Sequence, residues 1–138
     1  MFVSKLMTPH PLIASPDDTV GDALGVMLRN DIHALPVVRD GVVVGIVSRR
    51  DVQIAIGPGV KDLDPDTMNG EGLDLDVESV MSTDVETLAP HDTVADACRT
   101  LVATRVGALP VLDANGKLVG ILSVTDVLAA AARLFERV

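Results

Sequence analysis

The chain has 138 residues, 48% of them hydrophobic and 22% charged, a globular composition long enough for one ordinary domain or two small repeats sharing a core. Twenty acidic residues against eleven basic ones leave a net charge of −9, which argues against a general nucleic-acid binder, because phosphate binding needs clustered cations. Two phenylalanines with no Trp or Tyr exclude a base-stacking platform, and a lone cysteine, Cys98, excludes an internal disulfide and a cysteine zinc site.

After the opening MFVSKLMTPH, a short β segment is expected around Leu12–Ala14. Thr19 is a good N-cap with Asp22 three residues on, and Val20, Ala23, Leu24, Met27 and Leu28 put one apolar face on a helix. Two short apolar strands follow, Leu35–Val38 and Val42–Val47, joined through Asp40-Gly41, a hairpin signal because both residues tolerate positive φ. A second helix starts at Ser48. Gly57–Glu78 then carries seven acidic residues against one lysine, with two prolines and four glycines, and reads as a solvated linker, either a plain connection or a regulatory loop. Beyond it the same order returns: a β segment at Val85–Leu88, the Thr93 cap, a helix with Val94, Ala97, Cys98, Leu101 and Val102 on one face, strands Leu109–Leu112 and Leu118–Leu122 joined through Asn115-Gly116, and a helix from Ser123 running long through Asp126–Phe135. Cys98 stands where the first copy has Leu24 and reads as a small core residue.

The return is an internal repeat. At a shift of 74, Val3–Arg39 matches Val77–Asp113 at 12 of 37 positions; a one-residue insertion near Asn115 then brings Gly41–Ala55 onto Gly116–Ala130 at 8 of 15. The expected organisation is repeat one over residues 1–56, an acidic Gly/Pro linker over 57–76 and repeat two over 77–138. The fold class is α+β: two tandem β-α-β-β-α units, each near the lower size limit for independent stability, packed as one pseudo-twofold body. No apolar run approaches the roughly 18 residues of a membrane span and the start has no signal-peptide apolar region, so a soluble cytoplasmic protein is expected.

Ser48-Arg49-Arg50-Asp51 and Ser123-Val124-Thr125-Asp126 each fit a capping box, Ser at N-cap and Asp at N3, which alone accounts for both residues. A helix start also presents unpaired N–H groups to an anion, and a carboxylate suits a vicinal diol. The copies differ: DIHALP faces RVGALP, so His33 stands opposite Gly107, and Arg49 and Arg50 stand opposite Val124 and Thr125. Cations in a first helical turn oppose the helix dipole, so a nearby anion would account for them; the alternative is a solvated first turn, and for His33 a surface position beside a strand. His10 and His91 have no metal-ligand spacing with His33 and read as exposed loop residues. No paired catalytic carboxylates, nucleophile elbow or Walker loop is present, and the chain is not expected to be an enzyme.

Four pieces recur in order in both copies: SKLMT or ESVMS, a Pro-Asp-Asp-Thr-Val or Pro-His-Asp-Thr-Val helix start, ALPV, and GIVSRRDV or GILSVTDV. Together they resemble a pair of CBS domains, the modules named after cystathionine β-synthase; the linker and SRRDV are similar to those of acetoin-utilisation regulatory proteins. The resemblance implies a stand-alone regulatory module that binds an adenine nucleotide (AMP, ADP, ATP or a related adenosyl ligand) in clefts between the repeats, with no obligatory cofactor. It also implies a homodimer, formed through helical faces such as the alanine-rich C-terminal one, acting on an unknown regulated protein, without nucleic acid or membrane as partner. Each cleft would take the Ser and Asp of one copy and the opening segment of the other. Site one would comprise His33, Ser48, Arg50, Asp51, Ser82 and Thr83; IHxLP with a basic residue after the Ser resembles phosphate-binding positions of the gamma subunit of AMP-activated protein kinase. Site two would comprise Thr8, Pro9, Gly107, Ser123 and Asp126, with Arg105 its only nearby cation in sequence. A ligand-free interaction or scaffold module, whose Ser and Asp only cap helices, is the alternative.

Overall fold

Thr19 and Thr93 start helices as expected, each side-chain oxygen accepting the backbone N–H three residues on at 3.1 Å. In a computed structural model, which describes residues 1–57 and 72–137, the elements are a 3-10 turn Val3–Lys5, β1 (Thr8–Pro9), α1 (Val20–Arg29), β2 (Ala34–Arg39), β3 (Val42–Ser48), α2 (Arg49–Ile56), α3 (Val77–Val80), α4 (Val94–Thr104), β4 (Ala108–Leu112), β5 (Leu118–Ser123) and α5 (Val124–Phe135). The mixture of helices and antiparallel strands is α+β, built from the repeated helix-strand-strand-helix order.

The compact units do not coincide with the sequence repeats. One, the continuous unit, is Leu12–Val85; the other, the split unit, joins Met1–Pro11 to Glu86–Val138. The reason lies in backbone pairing. The opening residues of each repeat bond to the second long strand of the other: Ser82 exchanges hydrogen bonds of 3.0 and 2.9 Å with Ile46 on β3, and β1 runs antiparallel to β5 with Thr8 opposite Ile121 and Pro9 opposite Gly120. Such paired N–H and C=O groups would otherwise be left for water at a strand edge.

In the continuous unit β2 and β3 form an antiparallel hairpin from Ala34 opposite Ser48 to Arg39 opposite Val42. Its turn residues Asp40 and Gly41 both have positive φ, 52° and 80°, the two-residue geometry that Asp-Gly favours. The expected β segment at Leu12–Ala14 shrinks to one parallel bridge, Ala14 to Val37. Val20, Leu24, Met27, Leu35, Val37, Val47, Val52 and Val77 are fully buried in one core. Each such side chain contributes about 1.5–3 kcal/mol of burial. The end of the expected linker, residues 72–76, is among the described residues, with residues 74–76 exposed. Leu73 packs against this core, and the carbonyls of Leu75 and Leu73 accept the first two α1 N–H groups, from Val20 at 2.7 Å and Gly21 at 2.8 Å. Those donors have no partner inside the helix, so these carbonyls complete its start. The rest of the expected linker, residues 58–71, lies outside the described residues.

In the split unit the sheet order is β1-β5-β4. Asn115-Gly116 is not a two-residue hairpin turn. Asp113 N–H donates to the Lys117 carbonyl at 2.8 Å, Gly116 N–H to the Asp113 carbonyl at 2.9 Å, and Gly116 alone has positive φ, 79°. The inserted residue makes a three-residue loop, in which a turn is followed by a glycine in the left-handed region. Here too the expected strand at Val85–Leu88 is one parallel bridge, Leu88 to Val111. The core gathers Val3, Leu88, Ala97, Leu101, Leu109, Val111 and Leu122. Cys98 is only half-buried, whereas Leu24 at the matching position is fully buried. α5 has no buried residue, and Leu128, Leu134 and Phe135 are exposed. Among the described residues no helix is long and apolar enough to cross a membrane.

Candidate functional site

Both Ser-x-x-Asp tetrapeptides form complete capping boxes. Ser48 Oγ accepts the Asp51 N–H at 3.0 Å while Asp51 Oδ2 accepts the Ser48 N–H at 2.8 Å; Ser123 and Asp126 repeat this at 3.0 and 2.9 Å. The box uses one carboxylate oxygen. In the continuous unit the other, Asp51 Oδ1, accepts no hydrogen bond among the described residues. In the split unit Asp126 Oδ1 faces Thr8 Oγ1, which donates at 3.4 Å. Each helix therefore starts with one carboxylate oxygen turned away from the cap.

The groups of site one all fall in the continuous unit. The His33 carbonyl accepts the Arg49 N–H at 2.9 Å, so the β2 entrance and the α2 start are joined by backbone; the His33 side chain is exposed. Arg50 is exposed and makes no hydrogen bond or ion pair among the described residues. Ser82 is held on β3 by its backbone, and Thr83 follows it, also exposed. The groups of site two all fall in the split unit: Thr8 touches Asp126, Pro9 lies opposite Gly120, and the Gly107 carbonyl accepts the Val124 N–H at 3.0 Å. Arg105, exposed, occupies a left-handed position (φ 58°) at the end of α4.

Arg49 is a correction. It is neither solvated nor free for an anion, because its guanidinium donates to the Ile32 carbonyl at 2.9 Å and to the Met27 carbonyl at 3.0 Å. The cation that opposes the α2 dipole is stabilised by the carbonyl end of α1. Sequence reasoning also passed over Gly45 and Gly120. A Cβ on Gly45 would stand 2.8 Å from the Ser82 carbonyl, and one on Gly120 3.1 Å from the Thr8 carbonyl. The signal was present as the glycine opening GIVS and GILS in both copies: only glycine lets the opening segment lie so close.

The CBS domain model matches residues 3–57 and again 77–133. The chain belongs to the CBS-domain family. It is 33% identical over 140 residues to a CBS domain-containing protein of Dictyostelium discoideum, covering 100% of this chain and 96% of that one. The CBS-pair protein CBSX2, solved in complex with AMP, superimposes with a TM-score of 0.77 at 30% identity, covering 96% of this chain and 97% of that one. Inosine-5'-monophosphate dehydrogenase of Methanocaldococcus jannaschii is 35% identical over 118 residues, which are 85% of this chain but 21% of the enzyme. The shared part is thus a small fraction of the enzyme. Two CBS repeats in a small chain, matched nearly end to end by a CBS-pair protein, are the character of the whole described structure.

Proposed function

We propose that this CBS pair is a regulatory module that binds an adenine nucleotide where the opening segment of one repeat lies on the body of the other. The observation that carries the reading is the division of labour within each Asp. One carboxylate oxygen completes the helix cap, and Oδ1 remains outside it, facing Thr8 in Asp126 and accepting no hydrogen bond among the described residues in Asp51, so that it can accept ribose hydroxyls. Capping and ligand contact are therefore compatible, which supports the nucleotide reading alongside the complete caps. Phosphate would meet the Ser48 or Ser123 hydroxyl and the N–H groups of the helix start, with His33, Arg50, Ser82 and Thr83 at site one and Thr8, Pro9 and Gly107 at site two. The AMP complex of CBSX2 supports the ligand class.

The chain carries out no bond-breaking reaction in this reading. Ligand binding shifts the population of arrangements that a regulated protein senses. A homodimer in the cytoplasm is the proposed state, with the exposed Leu128, Leu134 and Phe135 of α5 in its interface. Calorimetric titration with AMP, ADP, ATP and adenosine tests the ligand. Saturable binding of at least one nucleotide without product release is expected. A ligand at 100 times its dissociation constant adds about 2.7 kcal/mol of stability, so unchanged melting at millimolar concentrations of all four overturns the proposal.

A further inference from the structure

Arg49 is the first residue of α2, directly after Ser48, and its side chain is only 24% exposed. Nε and Nη2 reach the carbonyls of Ile32 and Met27, and Nη2 lies 3.8 Å from Asp31 Oδ1. Its backbone N–H holds the His33 carbonyl at 2.9 Å. The Met27 carbonyl, in the last turn of α1, also accepts the Ile32 N–H at 3.0 Å. One residue thus fastens the last turn of α1 and two points of the α1–β2 connection to the α2 start. A planar guanidinium suits this, since its fork spans two carbonyls in a fixed geometry. Among the described residues the split unit has no such clamp. Val124 keeps only the backbone bond to Gly107, and Arg105 stands where Asp31 is, so the charge has changed sides.

We propose that Arg49 is a positioning residue for site one: it sets the spacing between Ser48 and Asp51 on α2 and His33 on the α1–β2 connection before ligand arrives, making site one rigid and site two loose. The inference rests on the nucleotide reading above for its ligand, but the clamp itself does not. Groups already held in place lose less freedom on binding, so a clamp raises affinity without touching the ligand. It also gives the two repeats different affinities from a residue outside the ligand contacts.

The test uses the full chain with Arg49→Met, which keeps the apolar stem and removes the donors, and Arg49→Lys, which can reach one carbonyl as a point charge. In ligand-free protein, amide hydrogen exchange at Ile32 and at position 49 should speed up about tenfold or more in Arg49→Met relative to the Val124 amide, the scale of a lost charge-assisted hydrogen bond. Arg49→Lys should fall between, and it decides the matter if Arg49→Met does not fold. In an Asp126→Ala background, which leaves site one to be read alone, AMP should bind about tenfold more weakly to the Met variant, with adenosine weakened alike because the clamp is not a phosphate contact. Unchanged exchange at Ile32 and position 49 overturns the inference, whether or not nucleotide binds. Faster exchange with unchanged AMP affinity overturns the positioning role. Absence of AMP binding in the unsubstituted chain overturns the nucleotide reading instead, while the exchange result still decides the clamp.

Discussion

Replacing Gly45 by alanine tests whether the opening segment of repeat two is built into the body of repeat one. The new Cβ would lie 2.6 Å from Met81 Sδ, 2.8 Å from the Ser82 carbonyl oxygen and 3.1 Å from Met81 Cγ. A methionine can swing aside, since its thioether is flexible. The Ser82 oxygen cannot, because it accepts the Ile46 N–H at 3.0 Å and moving it breaks the pairing that holds the segment. Overpacking costs about 1–3 kcal/mol and a weakened backbone hydrogen bond about 1 kcal/mol more, so a loss of about 3 kcal/mol is expected. In a chain of this size that lowers the melting temperature by about 9 °C. Differential scanning calorimetry reads it. Gly107→Ala is the control: nothing lies within 4 Å and its φ is not positive, so a change within about 0.5 kcal/mol is expected. Adding Met81→Ala to Gly45→Ala should recover less than half of the loss, because the carbonyl contact remains. Gly120→Ala should cost somewhat less, as its Cβ would stand 3.1 Å from the Thr8 carbonyl. If Gly45→Ala melts with Gly107→Ala, or Met81→Ala restores it fully, the close-approach argument is wrong.

Asp51→Ala and Asp126→Ala each remove half of a capping box and should each cost about 1 kcal/mol in chemical denaturation. With AMP, Asp51→Ala should abolish the tighter binding step and Asp126→Ala the weaker, since Arg50 faces Thr125 and one charge-assisted phosphate contact separates sites by about tenfold; the reverse order would refute the charge argument. Leu73→Ala should destabilise by about 2 kcal/mol or more, as a cavity-forming core change does; a neutral result in the same melt would return Gly72–Asp76 to the solvated linker. Arg39→Ala, which loses the 3.1 Å pair with Glu78, should cost under about 1 kcal/mol because both partners are half exposed, and less still in molar salt.

Local chemistry was legible in the chain itself. Helix starts at Thr19, Ser48, Thr93 and Ser123, the Asp40-Gly41 turn and the doubled strand pair are written within a few neighbouring residues, so periodicity and cap chemistry reveal them. The repeat, and with it the CBS character, is legible for the same reason: both copies carry the same local code in the same order. What depends on residues far apart was decided only by the tertiary structure. Thr8–Pro9 and Ser82 have no strand signature of their own and become strand partners because β5 and β3 offer them unpaired backbone groups. Leu73 and Leu75 look like an acidic linker, yet their carbonyls complete the start of α1. The sequence leaves Arg49 open between a nearby anion and a solvated first turn, and the fold instead brings the Met27 and Ile32 carbonyls to it; nothing in SRRD distinguishes either from an arginine turned back onto the end of the preceding helix.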